Sequence, residues 1–167
     1  MPIVEREGFK DVFELLEDIY KLSEQRYGRE ISTFILFART QELISSNLNF
    51  PLIKKINDLR FSVEDTYLFL YLIWRTIAGV EITDIGHATE DIFDSSSKKV
   101  KYVQSIMSGE SKLISQSYLE IVEANFFNDT KIKLSESSVK MLKELGFKLF
   151  ANKKRRNIIE PAKINSK

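Results

Sequence analysis

The sequence predicts a mostly α protein carrying a small β-hairpin, and three observations lead there. Apolar residues recur at three- and four-residue spacing through the first two-thirds of the chain, the period of helices with one buried face. Two short segments, Leu119-Glu-Ile-Val122 and Lys131-Ile-Lys-Leu134, alternate apolar and polar instead, as half-buried strands do. Between Gly79 and Phe147 the punctuation gives a fixed order. A helix is followed by a short strand-like run, two short helices, the hairpin and a closing helix. That is the order of a winged helix-turn-helix.

The elements follow in turn. A first helix spans about Phe9 to Arg26, with Phe9, Val12, Phe13, Leu16, Ile19 and Tyr20 forming one apolar stripe and Gly28 ending it. A second runs from about Ile31 to Ser46, with Ile31, Phe34, Ile35 and Ala38 on one face. Pro51 breaks that helix, because proline disfavours helical geometry in the residue before it, and a short helix covers Leu52–Leu59. Ser62-Val-Glu-Asp65 has the form of a capping box. The helix it opens, to about Ala78, is apolar on nearly every side and so is expected at the centre of the fold. Val80–Ile82 reads as a one-rung strand and Thr83 as the cap of the next helix, which buries Ile85, Ala88, Ile92 and Phe93. The Lys98–Ser108 helix buries Val100, Val103 and Met107 and occupies the recognition position of a winged helix. Asn125–Thr130 is the wing, and Ser135 caps a last helix bearing Val139, Leu142 and Leu145. Residues 1–60 are thus read as a helical region packed on the central helix, 61–150 as the winged-helix-like domain, and 151–167 as a basic linker.

With 167 residues the chain can bury roughly 70% of its unfolded surface. It contains no Cys, which excludes disulfides, thiolate catalysis and Cys-based zinc sites. A reducing cytoplasm is the simplest compartment, and Met1–Glu7 has acids where a signal peptide needs a basic and then an apolar run. The longest apolar run, Tyr67–Trp74, falls far short of the roughly 20 residues that span a bilayer, so no membrane partner is expected. The net charge of +1 hides a polarity. Residues 1–95 hold 10 Lys/Arg against 17 Asp/Glu, a balance of −7, and residues 96–167 hold 15 against 7, a balance of +8. Two faces with different tastes in partners, or an uneven sorting of solvated charge, would both produce it.

Chemistry is sparse. No Gly-x-x-x-x-Gly-Lys-Ser/Thr loop occurs, and one His without Cys leaves triads and thiol nucleophiles without a base, so no enzyme is expected from this chain. Asp84, His87 and Asp91 share a helical face at i, i+3 and i+7. They are chemically sensible ligands, but a solvated acidic face holding one histidine is the preferred reading, and no metal is expected. Basic residues offer more. Lys98, Lys99 and Lys101 lie on the candidate recognition helix with Gln104 as its one good base reader. Lys131 and Lys133 sit on the wing strand, and Lys153, Lys154, Arg155 and Arg156 follow the last helix. Cations so placed suit phosphate contacts, although Lys131 and Lys133 can instead pair with Glu120 and its neighbours across the hairpin. Phe126 and Phe127 stand at the wing, where aromatics anchor protein partners unless they fold back over the last helix.

The blocks Leu113-Ile114, Leu119-Glu-Ile121 and Phe126-Phe-Asn-Asp-Thr130-Lys-Ile-Lys-Leu134-Ser135 resemble the winged-helix-like N-terminal region of a group of bacterial AAA-family ATPases. Ile158-Ile-Glu-Pro-Ala-Lys-Ile164 is similar to the linker preceding the ATPase module there. The likeness covers roughly residues 60–165. It implies a non-catalytic domain that recruits a protein partner, a substrate or its own ATPase ring. ATP and Mg are implied only for an ATPase module that would lie beyond residue 167, and no cofactor is implied for this chain. The alternative is a free-standing DNA-binding regulator.

Overall fold

The structure, a computed structural model, describes residues 8–124 and 130–149. It has the mostly α character and small antiparallel sheet that the sequence predicts. In chain order it comprises α1 (Val12–Tyr27), α2 (Thr33–Ser45), α3 (Pro51–Leu59), α4 (Val63–Ile77), β1 (Thr83–Asp84), α5 (Ile85–Glu90), α6 (Ser96–Met107), α7 (Lys112–Ser115), β2 (Leu119–Glu123), β3 (Lys131–Leu134) and α8 (Glu136–Glu144).

α4 is the axis of the fold. Every residue from Tyr67 to Ile73 is buried. Such a helix needs cover on all sides, and α1 and α2 supply one part of it while α7 and β3 supply another. Ser62 caps the helix as predicted, its hydroxyl accepting from the Asp65 amide at 3.1 Å. Asp65 does more than favour the helix start. The residue is 6% exposed, and its carboxylate accepts from the Tyr102 hydroxyl at 2.6 Å and the Ser111 hydroxyl at 3.0 Å, tying α4 to α6 and to the cap of α7. At the other flank the buried Tyr67 hydroxyl donates to the Ile19 carbonyl at 3.0 Å, holding α1.

Several faces differ from expectation. α1 begins at Val12, since the Asp11 carboxylate accepts from the Glu14 amide and fixes the start there. Its buried face is Leu15, Leu16, Ile19 and Leu22, which leaves Phe13 exposed with its ring edge-on to Phe147 at 5.5 Å. In α2 the inward face is Thr33, Leu36, Thr40 and Ile44, so Phe34, Ile35 and Ala38 point outward. The strand near Gly79 lies at Thr83–Asp84, not at Val80–Ile82. Gly79, at φ 105°, lets the Val80 amide fold back onto the Arg75 carbonyl, which keeps Val80 in the turn. Thr83 is therefore a buried strand residue whose hydroxyl accepts from Arg75 Nε, and Asp84 takes the cap position of α5. In α6, Val103 and Ile106 are buried while Val100 is exposed, because Tyr102 takes the inward place beside Asp65.

The strand order is β1-β3-β2, antiparallel throughout. β2 and β3 pair as predicted, Leu119 opposite Leu134 and Ile121 opposite Ile132, with Val122 as the extra residue of a bulge. Ser135 caps α8, and serine hydroxyls from its first turn donate to the Ser117 and Tyr118 carbonyls, pinning the base of the hairpin.

Burial pushes the pKa of the Tyr67, Tyr71 and Tyr102 phenols up, that of Tyr71 to about 12. A phenol whose folded value lies above its unfolded value of about 10 adds stability that is complete below pH 10 and lost above it. Urea-unfolding free energy should therefore decline as pH rises past about 10, and Tyr71→Phe should make that decline shallower. Tyr102→Phe, which removes a charge-assisted hydrogen bond, should cost about 1.5–3 kcal/mol at neutral pH in the same titration.

Candidate functional site

The surface to weigh is the outer face of α6 with the hairpin beside it. α6 starts where it does because the Ser95 hydroxyl accepts from the Lys98 amide. The turn before it is fastened from the N-terminal helices. Arg26 donates to the Phe93 carbonyl at 2.9 Å, the Thr33 hydroxyl donates to the Ile92 carbonyl at 2.8 Å, and the Phe37 ring meets Phe93 edge-on at 5.9 Å. With Val103 and Ile106 inward, Lys98, Lys101 and Gln104 share the exposed side. Thr130, at the start of β3, is buried and its hydroxyl lies 3.8 Å from Met107 Sδ, which sets the sheet against the end of α6. An open cleft of about 790 Å³ flanks that end, lined by Lys101, Gln104, Ser105, Met107, Ser108 and Glu110.

The predicted cations divide into two groups. Lys98 and Lys101 form no ion pair among the described residues. Lys99 lies 3.7 Å from Glu90 with its side chain only 18% exposed, Lys131 pairs with Asp84 at 2.8 Å, and Lys133 lies 3.6 Å from Glu81. These three are engaged with acids and are not presented together with Lys98 and Lys101. Register sets Glu120 opposite Lys133, yet the ammonium reaches Glu81 instead. Phe126 and Phe127 lie outside the described residues, as do Lys153, Lys154, Arg155 and Arg156.

The Asp84–His87–Asp91 face is not assembled as a ligand set. Asp84 is taken by Lys131, and His87 is exposed. Burial raises the Asp91 carboxyl, opposed by the charge of His87. Among the described residues no group of three or more His, Asp or Glu is arranged to hold a metal ion, and no helix is long and apolar enough to cross a membrane.

Sequence reasoning missed an exposed apolar corner at the α1–α2 junction, where Tyr27 is 73% exposed and Phe34 77%. The signal was present in Phe34-Ile-Leu-Phe37, four consecutive apolar residues that sweep most of the way round a helix. A helix with one buried face cannot hide all four.

Comparison of the chain with family models, with curated proteins and with solved structures finds no match.

The division of the lysines has a measurable consequence. Lys99→Met and Lys131→Met should each lower urea-unfolding stability by up to about 1 kcal/mol, whereas Lys98→Ala and Lys101→Ala should shift it by less than about 0.5 kcal/mol.

Proposed function

We propose that the chain is a non-catalytic recognition domain that captures a protein partner on the outer face of α6 and the adjoining hairpin. One observation carries this reading: the cleft at the end of α6 mixes Lys101 with Glu110 and adds the Met107 thioether and the Gln104 amide. A nucleic-acid backbone would meet a carboxylate there. A peptide with both charge signs and an apolar side chain would meet complementary groups, and Met adapts to varied shapes. The resemblance of the Leu113–Ser135 blocks to the leading domains of bacterial AAA-family ATPases supports the same role, recruitment of a partner or substrate to an ATP-driven machine. Phe126 and Phe127 would then serve as wing anchors.

A DNA-binding reading has one specific observation in its favour, the common exposed face of Lys98, Lys101 and Gln104. The two readings separate cleanly. A photo-crosslinking side chain placed at Gln104 should trap a discrete protein adduct in cells of the source organism. Alanine at both Phe126 and Phe127 should reduce that adduct without moving the unfolding midpoint. A duplex mobility shift whose affinity falls with salt at a log–log slope of about −0.9 per phosphate, and which flattens when Lys98 and Lys101 are replaced, would establish the DNA reading instead.

A further inference from the structure

We infer that the first turn of α6 is gated by a latch on the turn before it, closed by Arg26 of α1 and Thr33 of α2, a gate whose functional meaning rests on partner capture at that face. The turn from Asp91 to Ser95 is weakly held by its own neighbours. α5 has only six residues, and the Ile92 and Phe93 amides share the Thr89 carbonyl at 3.1 and 3.4 Å. The carbonyls of Ile92 and Phe93 accept from far along the chain, from the Thr33 hydroxyl at 2.8 Å and from Arg26 Nη2 at 2.9 Å. The contact of the Phe37 and Phe93 rings at 5.9 Å is the apolar part of the same latch.

Two features set this contact apart from a permanent brace. Arg26 Nε is buried and has no hydrogen-bond partner among the described residues. Closing the latch therefore satisfies one guanidinium donor and strands another, and the desolvation of the stranded donor offsets the bond gained. Arg26 also lines an open cleft of about 760 Å³, so the guanidinium has room to leave the Phe93 carbonyl without displacing packed side chains. Beyond the turn, α6 is held unevenly. Its first turn, which carries Lys98, is tied to Ser95, whose hydroxyl accepts from the Lys98 amide at 3.2 Å. Further on, Tyr102 is bonded to Asp65 at 2.6 Å, and Val103 and Ile106 are fully buried. Opening the latch consequently frees the Lys98 end of the face while Gln104, past Tyr102, keeps its place.

Amide hydrogen exchange of the full chain, read residue by residue by NMR, tests this without a partner. The Phe93, Lys98 and Lys99 amides should exchange at least about tenfold faster than those at the centre of α4, with little dependence on low urea, the mark of local opening. Thr33→Val should speed exchange at these three amides by about tenfold and leave α4 unchanged, and Thr33→Ser, which keeps the hydroxyl, should restore the parent rates. Arg26→Lys keeps a cation in reach of the Phe93 carbonyl and deletes the stranded Nε–H. It should slow exchange there, whereas Arg26→Met should speed it. Rates that merely follow α4 in every variant, a Thr33→Val chain like its parent, or an Arg26→Lys chain no slower than its parent would overturn the inference. On the partner-capture reading, a photo-crosslinker replacing Lys98 should lose its adduct in Thr33→Val while one at Gln104 keeps it, and an adduct that persists at both would overturn the gating. Failure of that reading would show separately, as no protein adduct at Gln104 in the parent chain, and would leave the exchange rates to decide the latch.

Discussion

The fold depends on one requirement, that α4 be covered all the way round. A helix buried from Tyr67 to Ile73 has no face it can give to solvent, and its neighbours are arranged as a sheath. This is why the helical region before it and the sheet after it share a single continuous core, in which Leu16 and Ile19 of α1 belong to the same cluster as Ile132 and Leu134 of β3. Burial of that extent would be costly for any polar group left without a partner. Of the polar groups that α4 carries inward, Tyr67 is answered by a backbone carbonyl of α1 and Asp65 by hydroxyls from α6 and from the cap of α7. The sheath is thus held by directional bonds at points where apolar contact alone would allow sliding.

Two routes fix the place of α6, one from α4 and one from α2. One is the Asp65–Tyr102 hydrogen bond. The other runs through a chain of rings, Phe37 to Phe93 at 5.9 Å and Phe93 to Tyr102 at 5.5 Å, each pair worth about 0.5–1.5 kcal/mol beyond its buried area. Arg26 and Thr33 add bonds to the carbonyls of the same turn. The position of the outer face of α6 is therefore fixed in part by residues of the first forty, which no pattern within residues 61–150 alone would provide. Thr33 lies directly beside Phe34, so the hydroxyl that steadies the turn before α6 and the ring exposed at the α1–α2 corner project from neighbouring residues of one helix.

Features governed by near neighbours were legible in the sequence. The Ser62 and Ser135 caps, the central burial of α4 and the pairing of Leu119–Val122 with Lys131–Leu134 all depend on residues within a few positions or on a strict two-residue period. Features decided by distant residues were not. The inward face of α2 follows from which side meets α1 and α4, which the spacing of Ile31, Phe34, Ile35 and Ala38 does not reveal. The strand near Gly79 moved to Thr83 because a backbone fold-back onto Arg75 takes up Val80, while Ile132 and Lys131 offer pairing three residues later. Asp65 resembles an ordinary first-turn acid until Tyr102 and Ser111 are brought to it from 37 and 46 residues away. For the candidate site, the exposure of Lys98, Lys101 and Gln104 was readable from helical period, but the fate of the other lysines was not.

That fate also accounts for the charge polarity of the sequence. An acidic first part and a basic second part would form an acidic and a basic surface only if the two folded apart. Here Lys99, Lys131 and Lys133, all from the basic part, find Glu90, Asp84 and Glu81, all from the acidic part. The imbalance along the chain is thus spent in part on joining α6 and β3 to the α4–α5 segment. Each such partly exposed pair contributes up to about 1 kcal/mol, too little to drive the fold, yet a like charge at the same place would oppose this packing. A charge sum taken over a stretch of sequence consequently overstates the field that a partner meets. The cations available at α6, Lys98 and Lys101, are those whose helical position keeps them away from these acids, and they share that end of the molecule with an amide, a carboxylate and a thioether, so the field there is far weaker than the charge sum of the sequence suggests.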